Sequence, residues 1–184
     1  FLIAFISNLI SAIAGGGAGL IQLPALLFFG LPFPNALATH KLASLFLGVG
    51  AILRHIRSTK LRKDLVLIIL LSGIPGVFLG TKFVLSISDK TASLCLSILT
   101  LLVALYSVLL VKSDQTINST KNYKYSFWIA SIVLFSIGLL NGSFSSGTGL
   151  FVTIFLIKFF HISYSKAIAY TLILVGFFWN GAGA

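Results

Sequence analysis

Long apolar runs alternate with short interruptions along this chain, and the interruptions organise it. Residues 1–14 are apolar and end at Ala14-Gly15-Gly16-Gly17-Ala18-Gly19-Leu20; a second run, 20–29, stops at Leu31-Pro32-Phe33-Pro34-Asn35. A glycine gives up helix propensity at about 1 kcal/mol, and in hydrocarbon each freed backbone group costs several more. This break is therefore expected to be buried in protein or to line a wet cavity. About ten residues at 1.5 Å each make the 20–29 piece near 15 Å long, half of a bilayer core of about 30 Å. That length predicts a half-helix or re-entrant arm, and the two prolines predict a tight turn with Pro34 opening the next helix. Residues 35–53 then span and end in a basic loop. Residues 65–80 return, with Gly73, Pro75, Gly76 and Gly80 permitting a kink and close helix approach. Residues 91–111 cross back, and a polar linker follows.

The pattern then restarts. Residues 125–140 span, the stretch from Asn141-Gly142 through Ser146-Gly147-Thr148-Gly149-Leu150 breaks, 150–160 is again half-length, and His161-Ile162-Ser163 turns into a further span from Ala167. Gly19-Leu20 matches Gly149-Leu150 at an offset of 130, and Thr39 matches Thr171 at 132. Gly-broken segments at matching places in two halves point to a transporter site at the repeat interface. The expected fold is an all-α polytopic integral membrane protein of two Gly-broken helical repeats, each of four spans in a full-length protein. The first repeat occupies 1–111, a cytoplasmic linker 112–124, and an incomplete second repeat 125–184. If the short arm re-enters, each unit crosses four times and the repeats are parallel; if it completes a crossing, they are inverted. Its length favours the parallel arrangement.

Composition agrees with a membrane class. Of 184 residues 58% are hydrophobic and 9% charged, and the mean hydropathy is +1.08, whereas a soluble domain carries roughly 25% charged residues. The chain opens and closes inside apolar runs, so both ends are expected to be internal to a longer protein. The start has no signal-peptide layout. A net charge of +10 raises nucleic acid as a partner, but the placement of the charges argues against it. Arg54, Arg57, Lys60, Arg62 and Lys63 crowd one loop around His55, and Lys112, Lys121 and Lys124 flank another. This is the positive-inside pattern, which makes both loops cytoplasmic and in contact with anionic lipid. Asn118-Ser119-Thr120 then reads as a chance match to a glycosylation acceptor. Cys95 is expected to be a buried bystander.

Candidate chemistry follows the breaks. The half-helices after them offer unpaired N–H groups and a positive dipole end to an anion, which brings Gly15, Gly16, Gly17, Gly19, Gly147 and Gly149 into the candidate site. Lys41 lies about six residues into its span, as a site cation or as a side chain snorkelling to the interface. His40 and Ser44 share a face at i, i+4 with Gly48 beyond them. Thr39 and Thr171 donate to an oxyanion or bond their own helix's carbonyl. Thr148, between two glycines, reads as a ligand-facing hydroxyl. Asn180 and Gln22 either cap backbone or bind substrate. Lys158 is expected at a half-helix C-terminus, and His161 and Lys166 at the interface. The acids Asp64, Asp89 and Asp114 fall at span ends or in loops. A carboxylate proton relay, an acidic cation-channel ring and a paired-aspartate metalloenzyme each lose their key part. No Gly-x-Ser-x-Gly exists for a serine hydrolase. No catalytic residue, metal or cofactor is expected.

Gly15-Gly16-Gly17-x-Gly19-Leu20-Ile21-x-x-Pro24-Ala25-Leu26, then Gly30-Leu31-Pro32 and Ala36-Leu37-Ala38-Thr39-His40-Lys41-Leu42, resembles the first half of the TauE/SafE family of sulfite and organosulfonate permeases. The second break and Asn180-Gly181-Ala182 are similar to that family's second Gly-rich repeat. His40 stands where many relatives carry Asn, Ser146 where Pro is common, and Leu172 where Lys is frequent. The resemblance implies a bacterial inner-membrane, multi-pass permease of eight or so helices, moving sulfur oxyanions or carboxylates. Its expected partners are the bilayer, a small anion and, as an open option, further copies of itself. The alternative function is a non-transporting membrane assembly or regulatory subunit whose small residues serve only packing. A membrane-embedded enzyme is the remoter third.

Overall fold

A computed structural model of the protein describes residues 1–55, 61–110 and 127–184, with the backbone alone for 106–110. The described residues form eight helices and no strand. The first half holds α1 (Leu2–Ala14), α2 (Ala18–Phe28), α3 (Phe33–His55), α4 (Lys63–Leu85) and α5 (Asp89–Leu110). The second holds α6 (Phe127–Ser143), α7 (Thr148–Phe160) and α8, residues 164–183. In α8, α-helical Tyr164–Tyr170 continues through a π-helical stretch, Thr171–Trp179, into a last turn, Asn180–Gly183.

The expected elements are present, and most boundaries move outward. The arm α2 starts at Ala18 rather than Leu20, so Gly19 lies inside the helix. The turn before α3 ends early, at Phe33, because the Asp89 carboxylate accepts the Phe33 N–H at 3.2 Å and supplies a partner at the helix start. His161 closes α7 at φ 50, as the expected turn requires, and Lys158 lies in that helix's last turn. The linker 112–124, with Asn118-Ser119-Thr120 and Asp114, and the Arg57 and Lys60 part of the basic loop lie outside the described residues. Asp64 sits at the start of α4, paired with Arg62.

The distribution of polarity is inside-out. Phe5, Leu9, Phe46, Leu67, Leu71, Phe78, Leu101 and Trp128 are exposed, while Gln22, His40, Lys41, Asn141, Thr148 and Asn180 are buried. Such an exterior is stable only against lipid, because contiguous apolar surface of this extent is not tolerated in water. Two helices, α3 and α4, are long and apolar enough to cross a membrane; α1, α2, α6 and α7 are shorter apolar helices. The protein is an all-α membrane protein.

Small residues set its closest packing. Along α4 and α6 the sequences Gly76-x-x-x-Gly80 and Gly138-x-x-x-Gly142 face each other. A Cβ on Gly76 would lie 2.3 Å from the Phe135 carbonyl oxygen, on Gly80 2.0 Å from that of Leu139, and on Gly142 2.1 Å from that of Val77. The backbones touch directly, which in lipid replaces the hydrophobic drive as the source of helix association. The pairs Gly73–Gly138 and Gly80–Ser143 advance together, so α4 and α6 run parallel. By contrast α3 and α8 run antiparallel. Lys41 meets Gly183, whereas Gly48, seven residues later, meets Gly176 and Phe177. Since α3 and α8 each follow a half-helix in their own half, this order corrects the expectation of parallel repeats.

Gly142→Leu is expected to destabilise the protein by about 3 kcal/mol or more, above the usual 1–3 kcal/mol of overpacking, because only backbone stands in its way. Gly50→Ala, at a helical position where a Cβ meets nothing within 4 Å, should be neutral or stabilise by up to about 1 kcal/mol. Thermal denaturation of the two variants in one detergent compares them; equal melting temperatures would contradict the packing described.

Candidate functional site

Three consecutive glycines with positive φ (Gly15 78°, Gly16 135°, Gly17 93°) turn the chain from α1 into α2. No other residue type adopts these angles in series without strain. The second break makes the same move with Ser145 at φ 53° and Gly147 at φ 72°. Gly17 and Gly147 are the N-caps of α2 and α7, and neither helix start has a side-chain cap. Their first amides are therefore the unpaired donors that a helix start leaves over.

The breaks pack on one another. A Cβ on Gly16 would lie 2.5 Å from the Gly149 carbonyl carbon, and one on Gly19 would lie 2.8 Å from the Ser145 carbonyl oxygen. Between them lies a cavity of about 30 Å³, lined by both breaks and by α1, α3, α6 and α8. That is room for about two waters at ~10–15 Å³ each, or for a compact ion. Its polar lining comes from Ser11, His40, Ser44, Asn141, Ser145, Thr148, Thr171 and Asn180. Asn141 is the hub: its amide nitrogen donates to Thr148 Oγ1 at 2.9 Å and to Asn180 Oδ1 at 3.3 Å, and Ser145 Oγ donates to Asn180 Oδ1 at 3.1 Å. Asn141 Oδ1 is buried without a partner among the described residues.

Of the residues expected from sequence, Gly16, Gly17, Gly19, His40, Ser44, Thr148, Gly149, Thr171 and Asn180 are brought together around this cavity. Gln22 stands one layer back, its Oε1 3.0 Å from His40 Nδ1. Gly15 and Gly147 shape the breaks without lining the cavity; the Gly15 carbonyl accepts from Thr153 Oγ1 at 2.6 Å, which leaves Thr153 Oγ1 to accept from the Thr171 hydroxyl 2.8 Å away. Thr39 is a correction. It is exposed and bonds the Asn35 carbonyl of its own helix at 2.7 Å, the local alternative open to any helical threonine. Sequence reasoning missed Ser11, Asn141, Ser145 and Thr153. Asn141 and Ser145 carried a signal, an i, i+4 polar pair at the mouth of a break, whereas Ser11 and Thr153 are single hydroxyls in apolar helices and carried none.

Lys41 is the second correction. Its ammonium neither lines the cavity nor reaches the surface; it is 1% exposed and donates to the carbonyls of Gly142 (3.0 Å) and Gly183 (2.8 Å) and to Thr81 Oγ1 (3.3 Å). One residue of helical rotation, about 100°, turns it away from the His40 face, toward Gly142 in the last turn of α6 and Gly183 of α8. Lys41→Met is expected to cost about 1–3 kcal/mol, since it removes three hydrogen bonds and leaves the Gly142 carbonyl with the Thr81 hydroxyl as its side-chain donor. Chemical denaturation should show that loss even with no ligand added, and an unchanged midpoint would contradict the assignment.

The whole chain, residues 1–184, matches the family described as "Sulfite exporter TauE/SafE". It is 30% identical to a "Probable membrane transporter protein" of Haemophilus influenzae, over 95% of this chain and 67% of that one. It is 30% identical to "Probable membrane transporter protein ORF9" of a Sinorhizobium species, over 95% and 66%. A third such protein, from Escherichia coli K12, is 29% identical over 95% and 64%. The chain thus spans about two thirds of the length of these curated relatives. No solved structure matches it. With a match that covers both glycine breaks and relatives named as probable membrane transporter proteins, the chain belongs to the TauE/SafE sulfite exporter family.

Proposed function

We propose that the chain is the site-bearing part of a bacterial inner-membrane, multi-pass permease that moves small anions, sulfite, organosulfonates or short carboxylates, by alternating access at the cavity between the two breaks. One observation carries this reading: two uncapped helix starts and a ring of hydroxyl and amide groups converge on one buried cavity. Helix N-termini favour anions there by dipole and by free N–H groups, and Ser44, Ser145 and Thr148 bring hydroxyls that can donate. The cavity's size favours a compact headgroup. The leftover acceptor on Asn141 suits an anion that keeps one N–H or O–H, such as hydrogen sulfite or an amino- or hydroxysulfonate, over a bare one. The antiparallel course of α3 and α8 supports rocking of one half against the other.

A non-transporting assembly or regulatory subunit would account for the α4–α6 glycine contact, which is packing alone. It gives no reason to bury Asn141, Thr148 and Asn180 around a cavity at a cost in polar desolvation. An enzymatic role lacks a nucleophile–base pair among the cavity residues.

Full-length protein in proteoliposomes, assayed with labelled sulfite, taurine, methanesulfonate and acetate, is expected to show saturable flux of at least one. Thr148→Val and Ser44→Ala should each lower kcat/KM for that anion about tenfold or more, as a hydrogen bond to a charged group is worth about 1.5–3 kcal/mol. Absence of saturable flux of all four, or variants indistinguishable from wild type, would overturn the reading.

A further inference from the structure

The cavity contains one titratable side chain, His40, whose bonding differs between its protonation states. His40 is 2% exposed and lines the cavity from α3. Its Nδ1 lies 3.0 Å from Gln22 Oε1, and its Nε2 lies on the same side of Gly19 as the Ser145 carbonyl oxygen: a Cβ on Gly19 would stand 3.0 Å from the one and 2.8 Å from the other. The orientation of Gln22 is fixed by a relay. The Ala4 carbonyl can only accept, so Asn8 turns its amide nitrogen to it at 2.8 Å; the same nitrogen then donates to Gln22 Oε1 at 3.3 Å. Reversing the Gln22 amide would set two donors face to face, and reversing Asn8 as well would set its oxygen against that of Ala4. Nδ1 of His40 therefore faces an oxygen that only accepts. A neutral imidazole donates there and leaves a lone pair on Nε2, on the side of the second break; the imidazolium carries a donor on both nitrogens.

Charge balance runs the other way. Lys41 is the charged group acting on His40 from its own helix. Of the elements packed on α3, α1 and α2 bear no titratable side chain. On α5, Asp89 sits at the first turn bonded to Phe33, with Lys90 beside it. On α8, Tyr164, Lys166 and Tyr170 lie toward the end away from Asn180. No carboxylate among the described residues stands with His40 at the cavity. An imidazolium there is well bonded but has no counter-charge, and a buried charge without a partner is costly.

Resting on the anion-site reading above, we propose that His40 couples the anion to a proton: the cavity takes up one H⁺ on His40 with each anion, so the two bind and move as a pair. The anion supplies the counter-charge that the imidazolium lacks, and the imidazolium replaces a lone pair facing an anion by an N–H. The carbonyl of left-handed Ser145 in the second break lies on the Nε2 side of the ring, so protonation places a donor toward the second break. By linkage each ligand raises the other's affinity by the same factor.

Full-length protein carrying ¹⁵N-histidine, in lipid nanodiscs, tests this with methanesulfonate, which does not titrate between pH 5 and 8. The His40 signals are assigned by their loss in H40N, which keeps a hydrogen bond to Gln22 and cannot titrate. Near neutral pH without anion, His40 is expected as the Nδ1–H tautomer; saturating methanesulfonate should convert it to the doubly protonated ring. Affinity should fall about tenfold per pH unit above the midpoint in wild type and lose that slope in H40N. Methanesulfonate binding with unchanged His40 shifts, or an equal pH slope in H40N, would overturn the coupling and leave the anion site standing. Failure of methanesulfonate, sulfite and taurine to bind at any pH would overturn both.

Discussion

The contact on which the rest depends is that of Gly16 with Gly149, backbone against backbone at the point where two helices are interrupted. A Cβ on Gly16 would fall 2.5 Å from the Gly149 carbonyl carbon and one on Gly149 3.0 Å from the Gly16 Cα, so a side chain at either position would press the breaks apart. Because the contact has no Cβ in it, α2 and α7 can begin at the same place, and their unpaired amides fall within reach of one small ion. In hydrocarbon this contact also keeps broken backbone away from lipid.

Two further devices hold the breaks in register. Glycines at 76, 80, 138 and 142 let α4 and α6 pack at backbone distance, so the helix leading into the second break is seated on the first half. Lys41 then bonds the carbonyls of Gly142 in α6 and Gly183 in α8 from α3. Adjacent residues of one helix thus serve different purposes. His40 turns to the cavity, and Lys41 secures its frame. A lysine in a membrane helix is commonly taken for a substrate ligand, but here its three hydrogen bonds lead to structural oxygens.

Much of the fold was legible because lipid constrains sequence strongly: apolar runs fix the helices, and glycine runs at matching places mark the breaks. The half-lengths of α2 and α7 followed from counting residues. Direction was not legible from those lengths, because whether a short arm turns back or carries on depends on packing among α1, α3 and α8. In the site, His40, Ser44, Thr148 and Asn180 were found from their positions beside glycines or on a shared helix face. Thr39 and Lys41 were misplaced for the same reason in each case: helical periodicity ranks faces relative to one another but does not say which face meets which neighbour. Ser11 and Thr153 gave no signal, since a lone hydroxyl in an apolar helix is indistinguishable from one bonded to its own backbone. The π-helical stretch Thr171–Trp179 was equally silent, as its residues are those of any buried helix.

The most direct measurement is a cryo-electron-microscopy map of the full-length protein in lipid at side-chain resolution. The account predicts Gly16 and Gly149 in backbone contact, with His40, Asn141 and Thr148 around one cavity and the Lys41 ammonium turned away from it. Density placing the two breaks on separate sides of the molecule, or a continuous helix through either, would contradict it.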